Sequence, residues 1–247
     1  DKANYQDDWS ALYEDNSEFI NSQYFDFQIR PKEKLYSTIG FRRDDHSIAG
    51  DYTTGRVTIA YMLNNLTKIR TSYGTGIRYA SLYDYYYGTV LSNKEDLKPE
   101  KSKSFDIGYE TFFEKINTNF NISVFKITYD DPIESWESNT SNQENGSGWV
   151  TDNSAGKIKS KGIEVSTLWK PKNDINFNLN YNYNDTYDGA DCDDPDNDST
   201  KCIDSAMVRV PRHEITSAIK YKINKNLNNK LTARYSSETR DYGNTNN

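Results

Sequence analysis

The densest group of chemically useful side chains is an acidic stretch at residues 188–204. It contains five aspartates within eight positions, which are Asp191, Asp193, Asp194, Asp196 and Asp198. Carboxylate oxygens are the ligands that Ca²⁺ prefers, and crowded carboxylates repel one another until a cation binds. The stretch lacks the central glycine and closing glutamate of an EF-hand loop. It therefore predicts either an irregular calcium site or a solvated acidic loop, and no other cofactor is required.

Two cysteines, Cys192 and Cys202, lie in the same acidic stretch. They could be two separate thiols. Loop cysteines at short separation usually pair in oxidising compartments, so their position favours a disulfide. A disulfide here would place the protein outside the cytoplasm.

Catalysis has little support in this sequence. Its two histidines, His46 and His213, are far apart, and neither stands in a metal-ligand spacing or a nucleophile motif. We therefore predict no enzymatic activity. The net charge of −7 also argues against a nucleic acid partner, because phosphate binding requires a basic surface.

Aromatic side chains are concentrated in loop-like stretches. The stretch LYDYYYG supplies Tyr83, Tyr85, Tyr86 and Tyr87, while Trp136 and Trp149 flank a loop rich in asparagine, serine and glycine. Aromatic rings among amides suit a large amphipathic ligand, which they would bind by stacking and hydrogen bonding. The alternative is that these rings pack loop on loop or anchor at a membrane interface.

The elements that would position these residues are strands. In INFNLNYNYN, at residues 175–184, every odd-numbered residue is apolar or aromatic and every even-numbered residue is asparagine. Such alternation predicts a strand with one apolar face, and it recurs in about ten segments that are mostly about ten residues long. Only 34% of residues are hydrophobic, which argues against a two-layer core. No run of about eighteen apolar residues predicts a transmembrane helix.

The connections between these segments alternate in length. Short polar turns alternate with long connections at roughly 44–53, 74–101, 130–157 and 185–210. In an up-and-down meander, all long loops then lie at one end, as they do in outer-membrane barrels. We therefore predict an all-β, antiparallel, up-and-down transmembrane β-barrel. The odd phase of the segment around Val124 predicts a β-bulge there or a strand buried on both sides.

Aromatic residues near the predicted strand ends could form the interfacial girdles of such a barrel, or could simply pack across strands. These residues are Tyr24, Tyr36, Tyr73, Tyr109, Trp169, Tyr183 and Tyr235.

Three motifs, in order along the chain, resemble TonB-dependent outer-membrane receptors. The first is Gly74-Thr75-Gly76 with Arg78, followed by a Ser-Leu-Tyr segment and then by Leu97, Lys98, Pro99, Glu100, Lys101 and Ser102. The second is the strand containing Gly162, Ile163 and Glu164, and the third is Pro211-Arg212-His213. Two positions depart from the pattern, since Tyr79-Ala80 replaces Ala-Pro and Asp96 replaces Asn.

The order and spacing of these motifs are most similar to the vitamin B12 receptor branch. The resemblance implies a 22-stranded barrel in the outer membrane of a Gram-negative bacterium, a plug that engages TonB, and cobalamin as the ligand. Residues 1–247 would then be an internal fragment of the barrel domain, with about ten strands and with the plug and the last strands missing. Arg78 and Glu100 could organise the loops or bind the ligand.

Three alternatives stay open. A ferric siderophore receptor shares much of the same motif pattern. A secreted, soluble β-sandwich that binds glycans would use the tyrosines as sugar platforms and would dissolve without detergent. A passive porin would lack the Leu-Lys-Pro-Glu-Lys-Ser element.

Overall fold

The structure, a computed structural model, describes residues 2–5, 14–86, 97–138, 148–154, 156–189 and 206–241. The strands are β1 (Lys2–Tyr5), β2 (Glu14–Ser17), β3 (Ile20–Lys32), β4 (Leu35–His46), β5 (Gly50–Asn64), β6 (Thr67–Arg78), β7 (Glu100–Phe113), β8 (Thr118–Asp130), β9 (Ile133–Ser138), β10 (Gly148–Asn153), β11 (Lys157–Lys172), β12 (Ile175–Asp188), β13 (His213–Lys222) and β14 (Asn228–Ser236). One short helix, α1 (Leu82–Tyr86), and a 3-10 helix (Glu114–Ile116) complete the described elements. None of the described helices has the length and apolar character needed to cross a membrane.

Ten of the strands form a single antiparallel sheet. Its order is β3-β4-β5-β6-β7-β8-β11-β12-β13-β14, so each strand pairs with its neighbour in the chain once the β9–β10 hairpin is set aside. That hairpin and the β1–β2 pair form two separate two-stranded sheets. The predicted all-β, up-and-down meander of about ten strands is confirmed, and the chain forms part of a barrel wall.

The two faces of this sheet differ sharply in polarity. One face, here called the apolar face, carries exposed large hydrophobic side chains that include Phe41, Val57, Tyr73, Phe105, Ile107, Val124, Ile163, Leu179, Ile219 and Leu231. Among the described residues, the only buried hydrophobic side chains are Ala80, Tyr85 and Leu97. Contiguous apolar exposure on this scale marks a contact surface for membrane or protein. This sheet is therefore held together without a dry core.

The opposite face, here called the polar face, carries ion pairs that join neighbouring or next-neighbouring strands. Arg70 on β6 bonds to Asp106 at 2.7 Å and to Glu110 at 2.8 Å, both on β7. Arg56 on β5 reaches over Gly40 of β4 to Asp26 of β3 at 3.1 Å. A side-chain carbon at Gly40 would collide with the Asp26 carboxylate. Gly40 therefore leaves room for two charged side chains to meet above the backbone.

The asparagine-rich strand follows its predicted alternation. Leu179 lies opposite Ser217 and Thr167 on the apolar face, where its side chain is 46% exposed. Asn178 and Asn180 point to the polar face and line its concavities. The half-apolar, half-amide pattern therefore separates the two faces of β12.

The apolar face is close in height to the apolar band of membrane barrels. On β7 its side chains run from Phe105 to Phe113, a strand length of about 27 Å at a rise of about 3.4 Å per residue. At the strand tilt of about 35–45° found in such barrels, this length corresponds to a height of about 19–22 Å. The apolar band of membrane barrels is about 25 Å tall.

Five of the seven predicted girdle residues lie on the apolar face, namely Tyr73, Tyr109, Trp169, Tyr183 and Tyr235. Trp169 stacks on Phe177 with ring centroids 5.1 Å apart. The prediction is wrong for Tyr24 and Tyr36, which lie opposite Arg42 and Ala60 on the polar face. Their position in the alternation of β3 and β4 assigns them to that side, whatever their aromatic character.

The short turns and the long connections lie at opposite ends of the sheet. One of the four predicted long connections is a short turn instead. Five short turns at 33–34, 65–66, 114–117, 173–174 and 223–227 lie at one end of the sheet. The connections at 79–99, 131–156 and 189–212 lie at the other end, here called the loop end. The predicted long connection at 44–53 is wrong, because β4 and β5 stay paired up to His46 and Gly50. Polar residues there extend the hairpin instead of opening a loop.

The predicted β-bulge near Val124 is also wrong. β8 pairs with both β7 and β11 without any register shift from Thr118 to Asp130. The apolar residues change face at this point because the outer side of the strand becomes charged: Lys126 follows Val124 on the apolar face, while Phe125 lies on the polar face. The change of phase therefore marks where β8 leaves the apolar band.

Gly162 offers a test of how tightly the sheet is packed. A side-chain carbon there would collide with the backbone oxygen of Tyr183 and approach the Phe125 ring, whereas one at Gly55 would make only ordinary contacts. We expect Gly162→Ala to lower the free energy of unfolding by roughly 1–3 kcal/mol, which is the usual cost of overpacking. Gly55→Ala serves as the matched control and should change it much less. Unfolding of the intact protein in detergent, followed by its heat-dependent gel mobility, measures both; equal effects would contradict the prediction.

Candidate functional site

A candidate ligand surface lies on the polar face at the loop end. Phe125, Ile127 and Tyr129 of β8 lie there together with Ile158 of β11, and all four side chains are half-buried. Here these four residues are called the aromatic wall. An apolar, aromatic surface inside an otherwise polar face can bind the apolar part of a ligand.

Hydroxyl groups surround the aromatic wall. Ile127 lies opposite Ser104 on β7 and Ser160 on β11, and Tyr129 lies opposite Ser102. Ser160 donates a 2.7 Å hydrogen bond to the side-chain oxygen of Asn184. Apolar rings bordered by hydroxyls and amides suit a large amphipathic ligand.

Arg78 and Glu100 form a clamp at the base of the loop between β6 and β7. The guanidinium contacts the carboxylate through two nitrogens, at 2.5 and 2.6 Å. The same carboxylate accepts a hydrogen bond from the backbone nitrogen of Ile133 at 2.9 Å. Paired, two-pronged arginine–carboxylate contacts fix geometry as well as charge. These two motif residues therefore join the base of the loop between β6 and β7 to the segment that follows β8, as expected if they organise the loops.

Asn153 ties the same loops together a second time. Its side-chain nitrogen donates to the backbone oxygens of Lys98 at 2.8 Å and Asp131 at 3.0 Å. Its side-chain oxygen accepts from the Lys98 backbone nitrogen at 2.7 Å. One amide thus satisfies three backbone groups from two loops. No motif marks this residue, so sequence reasoning missed it.

A small apolar cluster lies beneath these clamps. Ala80, Tyr85 and Leu97 are each at most 2% exposed, and Ile48 and Ile133 pack against them. Pro99 is also fully buried. Leu97 and Pro99 of the Leu-Lys-Pro-Glu segment therefore support the loop base by packing.

The helix α1 stands on this cluster and begins with a capping box. The backbone nitrogen of Ser81 donates to the Asp84 carboxylate at 2.8 Å, and that of Asp84 donates to the Ser81 hydroxyl at 3.2 Å. The helix carries three of the four predicted ligand-contact tyrosines. Tyr85 points into the cluster; the side chains of Tyr83 and Tyr86, and all of Tyr87, lie outside the described residues.

His46 stabilises the tight turn between β4 and β5. Its buried ring accepts hydrogen bonds at Nδ1 from the backbone nitrogens of Ile48 and Ala49, both at 3.1 Å. It stacks on Tyr79 with centroids 4.3 Å apart. Burial, together with the negative charge of Asp44 beside it, raises the pKa of the Tyr79 hydroxyl to about 12. This geometry makes His46 a structural residue.

The remaining predicted site residues are distributed as follows. Trp136 and Trp149 lie on the β9–β10 hairpin, where they face Val150 and Glu137 in register, but their side chains lie outside the described residues. Residues 190–205 also lie outside them, and these include all five predicted calcium ligands and both cysteines. In the part of the chain that the structure describes, no three His, Cys, Asp or Glu side chains are grouped so as to hold a metal ion.

His213 and Glu164, two residues of the motifs, lie at the loop end and on the polar face, respectively. His213 opens β13 at the loop end, and its Nδ1 is 3.0 Å from the Tyr181 hydroxyl. Glu164 lies on the polar face, 3.5 Å from the Ser123 hydroxyl.

The family model for "TonB dependent receptor-like, beta-barrel" matches residues 1–247. The chain belongs to the TonB-dependent receptor β-barrel family. Solved structures of similar fold include a ferric enterobactin receptor (PfeA) mutant from Pseudomonas aeruginosa. It has 17% identity and a TM-score of 0.73, and the match covers 92% of this chain and 33% of that one.

Two further solved structures of similar fold are a siderophore receptor and a copper transporter. The siderophore receptor PirA from Acinetobacter baumannii has 19% identity and a TM-score of 0.69, covering 90% of this chain and 35% of that one. The copper transporter OprC has 15% identity and a TM-score of 0.65, covering 86% and 34%. No curated protein matches the sequence. The chain thus spans about one third of these structures, and at such identities the likeness concerns the fold alone.

The Asn153 clamp can be tested by amide hydrogen exchange. Asn153→Ala removes three hydrogen bonds and leaves backbone groups of Lys98 and Asp131 without their partner. We expect exchange at the backbone amides of Leu97 and Lys98 to accelerate by about tenfold or more, since each lost hydrogen bond costs about 1 kcal/mol. Asn178→Ala, near the short-turn end, is the control and should leave that exchange unchanged. If both variants exchange like the parent, the clamp has no stabilising role.

Proposed function

We propose that this chain forms part of the wall of a TonB-dependent transporter in the outer membrane of a Gram-negative bacterium. The observation that carries the proposal is the exposed apolar face set against a polar, ion-paired face. Lipid on one side and a watery interior on the other would satisfy both faces without a protein core. The function is transport, so no side chain is assigned a catalytic role.

The sorting of connections supports an orientation for the chain. Membrane barrels place short turns on the periplasmic side and long loops outside the cell. The loop end, with the Arg78–Glu100 and Asn153 clamps, would then face the medium. A ligand arriving from outside would meet the loops first and the aromatic wall next.

The polar face would contact the plug through which such receptors engage TonB. Lys68 and Arg70 both bond to Glu110, at 2.9 and 2.8 Å, so they would present a neutralised rather than a cationic surface. Asn178 lines two concavities of about 320 and 350 Å³ on this face. A plug element that supplies polar groups would fit these concavities.

Cobalamin is our first candidate for the ligand. Between mid-strand and the loop end, every arginine of the described polar face is paired with a carboxylate, namely Arg42, Arg56, Arg70, Arg78 and Arg234. A surface whose charges are already balanced suits a large ligand with little net charge, which the aromatic wall would bind by stacking. Between mid-strand and the loop end, the described part of this face thus has no surplus of positive charge to attract a strongly anionic chelate.

A ferric siderophore is the second candidate. Two of the similar structures carry siderophore or enterobactin receptor names. The external loops would supply further contacts for either ligand, including Tyr83, Tyr86, Tyr87, Trp136 and Trp149. A calcium ion at Asp191, Asp193, Asp194, Asp196 and Asp198 and a Cys192–Cys202 bridge would rigidify one of these loops.

The membrane orientation predicts which cysteines react in the intact receptor. With Cys192 and Cys202 replaced by serine, Leu179→Cys should stay unreactive towards a membrane-impermeant maleimide in outer membranes. Asn180→Cys, its neighbour on the polar face, should react. The measurement is mass-tagged labelling with and without detergent. A reactive position 179 beside a sealed position 180 would refute the transporter assignment.

The ligand candidates are separated by binding to the purified intact receptor. We expect cyanocobalamin to bind and ferric enterobactin to bind more weakly, as measured by tryptophan fluorescence quenching. Phe125→Ala should weaken binding by about tenfold, the typical effect of removing an aromatic anchor. The matched control is Phe105→Ala, because Phe105 lies on the apolar face of the adjacent strand. Preferential binding of the ferric chelate would assign the receptor to siderophore uptake.

A further inference from the structure

Six lysines stand together on the apolar side of the sheet at the loop end. They lie on three adjacent strands: Lys101 and Lys103 on β7, Lys126 on β8, and Lys157, Lys159 and Lys161 on β11. All six are exposed. This group is here called the lysine patch. It stands out in a chain whose net charge is −7.

The register brings two of these lysines directly opposite each other. Lys161 pairs with Lys126 across the β8–β11 ladder, one row above the pair formed by Ile163 and Val124. Like charges directly opposite in a sheet destabilise it. An anion between or above the two ammonium groups would remove this repulsion.

Carboxylates neutralise only part of the patch. Asp130 bonds to Lys157 at 2.5 Å and to Lys103 at 3.4 Å. Two further carboxylates reach the patch: Asp131 lies 3.8 Å from Lys101, and Asp185 lies 3.3 Å from Lys161 and also 3.4 Å from Arg212. Among the described residues, no ion pair includes Lys126 or Lys159. Six ammonium groups thus face three carboxylates, which leaves a positive surplus.

The patch directly adjoins the apolar band. Each of three lysines has an exposed apolar residue two positions away on its own strand. Phe105 (48% exposed) follows Lys103, Val124 (41%) precedes Lys126, and Ile163 (38%) follows Lys161. Two residues of a strand span about 7 Å. The lysines therefore lie at the depth where lipid headgroups would be, next to the side chains that would contact acyl chains.

We propose that the lysine patch is a binding site for the phosphate groups of lipids in the outer leaflet of the membrane. Lysine clusters at the membrane boundary attract anionic headgroups, and the apolar row below would hold the acyl chains of the same molecule. Lys159 adds a cation–π contact with Tyr187, with its nitrogen 5.2 Å from the ring centroid, which holds that lysine on the outer side. The inference rests on the proposed membrane orientation but not on the identity of the transported ligand.

The test uses the purified intact receptor in a neutral detergent. The probe is lipid A, an acylated disaccharide with two phosphates, and binding is counted by native mass spectrometry and by titration at low and high salt. The test variant carries Lys126→Gln, Lys159→Gln and Lys161→Gln together. We expect its affinity to fall by about tenfold to a hundredfold, given the usual contribution of each surface lysine to headgroup binding.

A matched control removes the same charge at the opposite end. Lys115→Gln, Lys172→Gln and Lys225→Gln lie at the short turns, so this variant should bind lipid A within about twofold of the parent if the effect is local. Asp130→Asn adds net positive charge to the patch, so this variant should bind lipid A more tightly than the parent. It tests the proposal even if the triple variant folds poorly. Heat-dependent gel mobility reports the folded state of each variant.

Several outcomes would overturn the proposal. They are unchanged affinity in the triple variant, an equal loss in the control variant, and equal binding of fully dephosphorylated lipid A. Equal binding of an acyl-free disaccharide bisphosphate would also overturn it, because the site would then take a soluble phosphate. The same triple variant should bind cyanocobalamin and ferric enterobactin as the parent does. A wrong lipid site would therefore change only the lipid A results, whereas a wrong transport assignment would appear in the cyanocobalamin and ferric enterobactin results.

Discussion

Backbone hydrogen bonds between neighbouring strands hold this chain together. Few of its described side chains are buried, so side-chain packing contributes little. Only three hydrophobic side chains in the described part of the chain are buried, and all three lie beneath the loops rather than between strands. A hydrocarbon environment offers backbone groups no partner other than one another. The long, continuous ladders from β3 to β14 would meet that constraint in the proposed membrane orientation. The side chains would then be free to adapt to lipid on one side and to water on the other.

At the loop end the same strands take on a different role. Above the apolar band the outer side chains of β7, β8 and β11 include lysines, and the inner side chains of β8 become aromatic and aliphatic. The loops at this end are clamped by Arg78, Glu100 and Asn153. The polarity of both faces thus reverses along β8 without any break in register. Binding surfaces on both sides can therefore be built on the rigid ladder itself.

Much of this fold could be predicted from the sequence, because alternation fixes which residues share a face. The asparagine-rich strand β12 shows this most clearly. Alternation does not say which medium each face contacts. From the sequence alone, the reversal at Val124 therefore predicts a bulge or a strand buried on both sides, and the polar hairpin at 44–53 predicts a loop. The aromatic character of Tyr24 and Tyr36 suggests the girdle, although their phase assigns them to the other face.

The loop clamps could be predicted only in part. The motif containing Arg78 and Glu100 is visible in the sequence, but its partner Ile133 and the second clamp at Asn153 are distant along the chain and carry no local signal. Such contacts depend on where two long connections meet in space. The aromatic wall was missed for a related reason, since its residues break the pattern by which the strands were found.

Gly40 has one more effect. Because Arg56 meets Asp26 above it, any slip of β4 by one residue would insert Ile39 or Phe41 between the two charges and separate them. A slip by two residues would insert Thr38 or Arg42 instead, and neither is small enough. The absence of a side chain at Gly40 therefore fixes the register of three strands, because the Arg56–Asp26 ion pair can form in only one of their near-equivalent pairings.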